Sequence, residues 1–160
     1  MAKRFMITAI FCLFLSLSSG AAMVSIFVVE TGLPPDSVAD NPHSILWENA
    51  FLDVFFEAGH IVTNAPILRL DTKPQNDILH TVAFDIMDAR DFGIDYMLIA
   101  MLDFNGDLQA PVEISFHIYR VNTGEKIFER QIPGRTFRSS RDEFDDIKAV
   151  ARGIVPHIRQ

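Results

Sequence analysis

Cysteine is almost missing from this sequence: the one thiol, Cys12, lies inside an apolar run near the start. Disulfide frameworks, thiol catalysis and cysteine-based zinc sites are thereby excluded from everything that follows it. Basic residues are scarce in the front half. From Met23 to Asp107 there are 14 acids and 3 bases, net −11, whereas Leu108 to Gln160 carries 7 acids and 9 bases, net +2. The 160-residue chain has net charge −7, or −9 without Lys3 and Arg4. That balance argues against nucleic-acid binding, which calls for a basic footprint. Histidines at metal-ligand spacing are missing too. His43, His60, His80, His117 and His157 stand apart, so no metal or cofactor site is assigned. There is no Gly-x-Ser-x-Gly, no phosphate-binding glycine loop and no dinucleotide fingerprint. The sequence therefore points to no catalytic residue, and the expectation is a protein that is not an enzyme. Internal repeats and low-complexity linkers are absent.

What is present begins with a leader. Lys3 and Arg4 give a positive start, Phe5 to Leu17 is nearly all apolar, and Ser18, Ser19, Gly20, Ala21 and Ala22 supply small side chains at a cleavage point. Residues 1–22 read as a signal peptide and 23–160 as a single domain. The alternative is an uncleaved membrane anchor, because no charge occurs from Phe5 to Val29. Both readings place Lys3 and Arg4 inside and the domain outside, in the periplasm or associated with the cell envelope. Phe11 before Cys12 is too large for a lipidation site.

The rest patterns as alternating elements. Val24 to Thr31 is rich in β-branched residues and predicts a buried strand. Asn41-Pro42 starts a helix that runs to Ala58, with Trp47, Phe51, Val54 and Phe55 on one side and Gly59 at its end. A short strand follows at Ile61 to Thr63, then a polar loop at Asp71 to Asn76. One helix spans Asp77 to Arg90, with Ile78, Leu79, Val82, Ala83, Ile86 and Met87 inward. Tyr96 to Phe104, nearly all apolar, reads as a central strand. Asn105-Gly106 reads as a tight hairpin turn in preference to a calcium loop built on Asp103, Asn105 and Asp107, since the terminal glutamate is missing. Strands at Val112 to Val121 and Lys126 to Ile132 join through Asn122-Thr123-Gly124. A last helix starts at Ser140, where Ser140-Arg141-Asp142-Glu143 suggests a capping box. The expected fold is α+β: a mixed sheet with an antiparallel meander, helices on one side, in the order β-α-β-α-β-β-β-α.

Three stretches carry a resemblance. They are Phe55-Phe56-Glu57-Ala58-Gly59-His60-Ile61-Val62, Gly93-Ile94-Asp95-Tyr96-Met97-Leu98-Ile99-Ala100 and Ile118-Tyr119-Arg120-Val121-Asn122-Thr123-Gly124-Glu125. Together with the element order they resemble the bacterial envelope domain family that includes the TolB amino-terminal domain, CsgG and LpoB. The resemblance implies a fold and an envelope setting. The lipidated cysteine and pore-forming hairpins of curli-type secretion proteins and the propeller of TolB-like proteins are not read in these residues.

The function expected is that of an exported, non-enzymatic envelope accessory protein acting through another protein or through copies of itself. The alternatives are a small secreted enzyme or ligand-binding domain, with a site in the loops Gly32 to Asn41 and Asn64 to Asn76, and a membrane-anchored subunit. The candidate partner contact is Arg135, Arg138 and Arg141, a three-residue-spaced run after Gly134. Arginine suits this role because its planar fork grips carboxylates with two hydrogen bonds.

Overall fold

The structure is a computed structural model that describes residues 20–33, 41–74, 77–106 and 110–158. The leader from Met1 to Ser19, with its charges and Cys12, lies outside the described residues, as do 34–40, Asn76 and Asp107.

β1 (Met23–Thr31) is buried along nearly its whole length, as its run of Val, Ile and Phe requires. It pairs in parallel with β4 (Tyr96–Asp103) on one side. On the other side it pairs in parallel with β2 (Ile61–Asn64) and then β3 (Leu68–Leu70). Pro66 lies between these two short strands. It has no N–H to give a ladder, so the edge is broken there. β5 (Glu113–Arg120) and β6 (Glu125–Pro133) complete the sheet as an antiparallel meander, in the order β2-β1-β4-β5-β6. The α+β class, the single domain and the mixed sheet agree with the sequence reading.

α1 (Pro42–Glu57) starts as expected, with the Asn41 side chain accepting from the His43 amide at 2.9 Å. Together with α4 (Ser140–Ile154) it covers the first face of the sheet. Trp47, Phe51 and Phe55 are buried there, with Phe116 of β5 packed 5.6 Å from both the Trp47 and Phe51 rings. The cap of α4 is Ser139, one residue before the expected box. Glu143 makes a tertiary contact instead, accepting from or pairing with His43 Nδ1 at 2.6 Å.

Several expectations change. The helix expected from Asp77 to Arg90 is two: α2 (Ile78–Thr81) and α3 (Ala83–Asp91), with Val82 between them out of helical geometry. The β-branched pair Thr81-Val82 weakens a helix at that point. Leu79 is only partly buried, Met87 faces solvent, and Ile78, Val82, Ile86 and Ala89 face inward. The helices also lie on both sides of the sheet rather than one. α2 and α3 cover a second core of Phe27, Val29, Met97, Ile99 and Met101. β1 and β4 carry apolar side chains on both faces, not on alternate positions only, so both of their faces need cover.

The Asn105-Gly106 turn has positive φ at both residues, 47° and 82°. It does not close a two-residue hairpin, because β5 begins only at Glu113. The turn instead seats on Gly32, whose carbonyl accepts the Gly106 amide at 2.6 Å.

Candidate functional site

The helices of the second face leave the β5–β6 part of the sheet open. Strand alternation turns Ser115, His117 and Tyr119 to that side, and a register shift that passes over Ile127 of β6 sets Lys126 opposite Tyr119. Their partners across the ladder are Gln131, Glu129 and Lys126. The loop before α2 closes one flank with Lys73, Pro74 and Asp77. The result is a cavity of about 320 Å³, walled on its apolar side by Ile78 and Met101.

The charges here are all paired, with two carboxylates sharing Lys126. Lys126 Nζ lies 3.0 Å from Asp77 Oδ2 and 2.9 Å from Glu129 Oε2. Asp77 also accepts from the Tyr119 hydroxyl and, at 3.0 Å, from the Leu79 amide. Burial pushes the Asp77 carboxyl up, but Tyr119, Leu79 and Lys126 together outweigh it and hold it at about 2. Burial, and then the Asp77 carboxylate, push the Tyr119 hydroxyl well up. Lys73 pairs with Glu113 and keeps that carboxyl below its usual value.

His117 stands apart from this pairing. It is 8% exposed, and neither ring nitrogen finds a hydrogen-bond partner among the described residues. Glu129 Oε1 comes only to 3.9 Å of Nδ1. Burial lowers the imidazole below its ordinary value and favours the neutral ring. The Ser115 hydroxyl, also 8% exposed, is likewise without a partner. Because Ser115 and His117 are not hydrogen-bonded to each other, the geometry presents no nucleophile–base pair. Among the described residues no group of His, Cys, Asp or Glu is placed to hold a metal ion. The sequence placed His117 only as one of five isolated histidines. Period-two alternation on β5 was the available signal, since it sets Ser115, His117 and Tyr119 opposite Ile114, Phe116 and Ile118.

A second surface belongs to α3. Phe84 is 80%, Met87 59% and Phe92 79% exposed, interleaved with Asp85, Asp88 and Asp91. Beside it a groove of about 540 Å³ separates α3 from the β2–β3 edge, with Ala65, Pro66, Ala89 and Phe92 among its walls. Single exposed apolar residues are ordinary, but two phenylalanines and a methionine on one short helix and its C-cap form a patch.

The arginine segment joins β6 to α4. Gly134 anchors its start: a Cβ there would sit 1.7 Å from the Pro111 carbonyl oxygen. Arg135, Arg138 and Arg141 are all exposed. Arg135 reaches Asp146 of α4 at 3.2 Å. Arg141 lies in the first turn of α4, where a cation is unfavourable for the helix dipole. None of the three lines the His117 cavity.

The remaining charged cluster is structural. Glu30 of β1 is fully buried, and its Oε2 accepts from Arg69 Nε at 2.8 Å and Nη2 at 2.7 Å. Its Oε1 accepts the Asn41 amide at 3.1 Å, which ties β1, β3 and the start of α1 together.

Comparison with solved structures gives likenesses at low identity. A PelC dodecamer from Paraburkholderia phytofirmans matches with TM-score 0.52 and 18% identity, over 88% of this chain and 89% of that one. The LpoB C-terminal domain from Salmonella enterica matches with TM-score 0.42 and 19% identity, over 79% and 92%. Lipoprotein GNA1162 from Neisseria meningitidis matches with TM-score 0.48 and 12% identity, over 83% and 96%. The PelC likeness shows a shared fold. Of the resemblance read from sequence, the fold is supported as PelC-like, and the TolB amino-terminal domain and CsgG are not specifically supported. No curated protein matches the sequence. A family model described as "Uncharacterised protein" matches residues 36–133, more than half of the chain, and the chain belongs to that family.

Proposed function

We propose that this is an exported cell-envelope accessory protein that works by binding protein, and first of all by assembling with copies of itself. The observation that carries the reading is the α3 surface, where Phe84, Met87 and Phe92 stand exposed among Asp85, Asp88 and Asp91. Such a patch is a normal mark of an interaction site. Its complement in charge is the segment of Arg135, Arg138 and Arg141. α3 covers one face of the sheet, and the arginines lead into α4 on the other. A contact between these two different surfaces is heterologous, and heterologous contacts build rings when the rotation closes. The dodecameric state of PelC, which has the same fold, supports this reading. Residues 1–22, as a cleaved leader, would deliver the domain across the membrane, and no cofactor is invoked.

Sedimentation velocity of the exported protein at low and high salt tests it. Wild type is expected to self-associate, and the association to fade with salt, because exposed charges are screened beyond about 8 Å at physiological ionic strength. Arg135→Glu/Arg138→Glu/Arg141→Glu and Phe84→Ser/Phe92→Ser should each weaken association while leaving the melting temperature nearly unchanged. Equal association of all three proteins at every salt concentration would show that both surfaces are merely solvated. Pull-down from envelope extract separates a self-contact from a different protein partner.

A further inference from the structure

We propose that the cavity between the start of α2 and the β5–β6 face binds a neutral, hydroxyl-rich small molecule about the size of one sugar ring. Ser115 and His117 lie two residues apart on one strand face, and both line the cavity. Three of their polar atoms, Ser115 Oγ and both nitrogens of His117, are buried without a hydrogen-bond partner among the described residues. Buried polar atoms are rarely left unsatisfied, and each one costs about 1–3 kcal/mol when it is. Such a cluster on a cavity floor marks a place where a partner from outside the fold belongs.

The chemistry of the walls selects the partner. Every charged group that lines the cavity already has an opposite charge: Lys73 on Glu113, and Lys126 between Asp77 and Glu129. An anion would compete with Glu129 and Asp77, and a cation with Lys73 and Lys126. The one carboxylate in excess repels an anion, and it is already held by Lys126 together with the Tyr119 hydroxyl and the Leu79 amide. The groups left over are a neutral imidazole, which offers one N–H and one bare nitrogen, and a hydroxyl, which both donates and accepts. Alcohols and amides share that double character, so they complement this floor without displacing the ion pairs. Pro74, Ile78 and Met101 supply an apolar flank against which the C–H side of a ring can rest. A volume of about 320 Å³ is at the lower end for small-molecule sites, which limits the occupant to about one ring.

The test is a titration of the isotope-labelled exported protein with glucose and with N-acetylglucosamine, and separately with acetate and ethylammonium. The His117 side-chain nitrogens and the Ser115 amide are followed by NMR. The expected result is a saturable shift with at least one of the monosaccharides, with Kd on the order of 1–10 mM. Acetate and ethylammonium should give none. His117→Phe and Ser115→Ala, each confirmed as folded by its amide spectrum, should weaken binding about tenfold or more, the effect of losing about one well-placed hydrogen bond. The Ser115→Ala arm keeps the test decisive if His117→Phe fails to fold. The proposal is overturned if neither sugar gives a saturable shift. It is equally overturned if an ion saturates the site while the sugars do not, or if a folded variant binds the sugar as wild type does.

Discussion

Replacing Phe51 with alanine removes the centre of the first core. The side chain is fully buried, its ring 6.1 Å from Trp47, 6.1 Å from Phe55 and 5.6 Å from Phe116. Three aromatic neighbours on two elements, α1 and β5, hold the surroundings open, so the site cannot collapse onto a methyl group. Lost transfer energy and the residual cavity together cost about 3–5 kcal/mol. Against a total of about 5–15 kcal/mol for a domain, that is a large share. At about 4 °C per kcal/mol for a chain of this size, melting should fall by about 12–20 °C. Urea unfolding followed by far-UV circular dichroism reads the loss. The fluorescence of Trp47, the only tryptophan, reports the same transition from beside the cavity. A loss under about 1 kcal/mol would refute the packing described here and imply that α1 turns its aromatic stripe elsewhere.

Arg69→Ala strands the Glu30 carboxylate, which is 0% exposed, and should cost about 3–5 kcal/mol by chemical denaturation. Stability should also depend on pH through His117 and His60, both lowered from 6.5 by burial. As pH falls below 6.5 the unfolded chain takes up these protons first, so stability falls with it, and His117→Phe should flatten that slope in urea midpoints measured across this range. Asp77 adds a second step: its contribution is present above 3.8 and is lost as pH falls from there to about 2, a step that Asp77→Asn should abolish in acid-unfolding curves. For the leader, intact mass of the exported protein should correspond to a start between Ala22 and Val24. A full-length mass in the membrane pellet would favour the anchor instead.

Some of this protein was legible from local pattern alone. The β-branched run of β1, the Asn41-Pro42 start of α1, its aromatic stripe and the Asn122-Thr123-Gly124 turn all lie within a few residues of the partners that decide them. Period and backbone preference act over that range, and the structure agrees at each. The arginine run was equally legible as exposed charge, though its neighbour Asp146 lies a helix turn or more away in α4. Tertiary structure alone decided the rest. Asp77 meets Tyr119 across 42 residues, and Arg69 meets Glu30 across 39. The second follows from the parallel register of β1 with β3, where Glu30 and Arg69 stand opposite each other, and the first from the seating of the start of α2 against β5, neither of which a local pattern encodes. The same holds for the two-sided helical cover. Continuous apolar strands demand it, but only the packing shows that α2 and α3 stop short of β5 and β6 and leave His117 buried at the floor of a cavity.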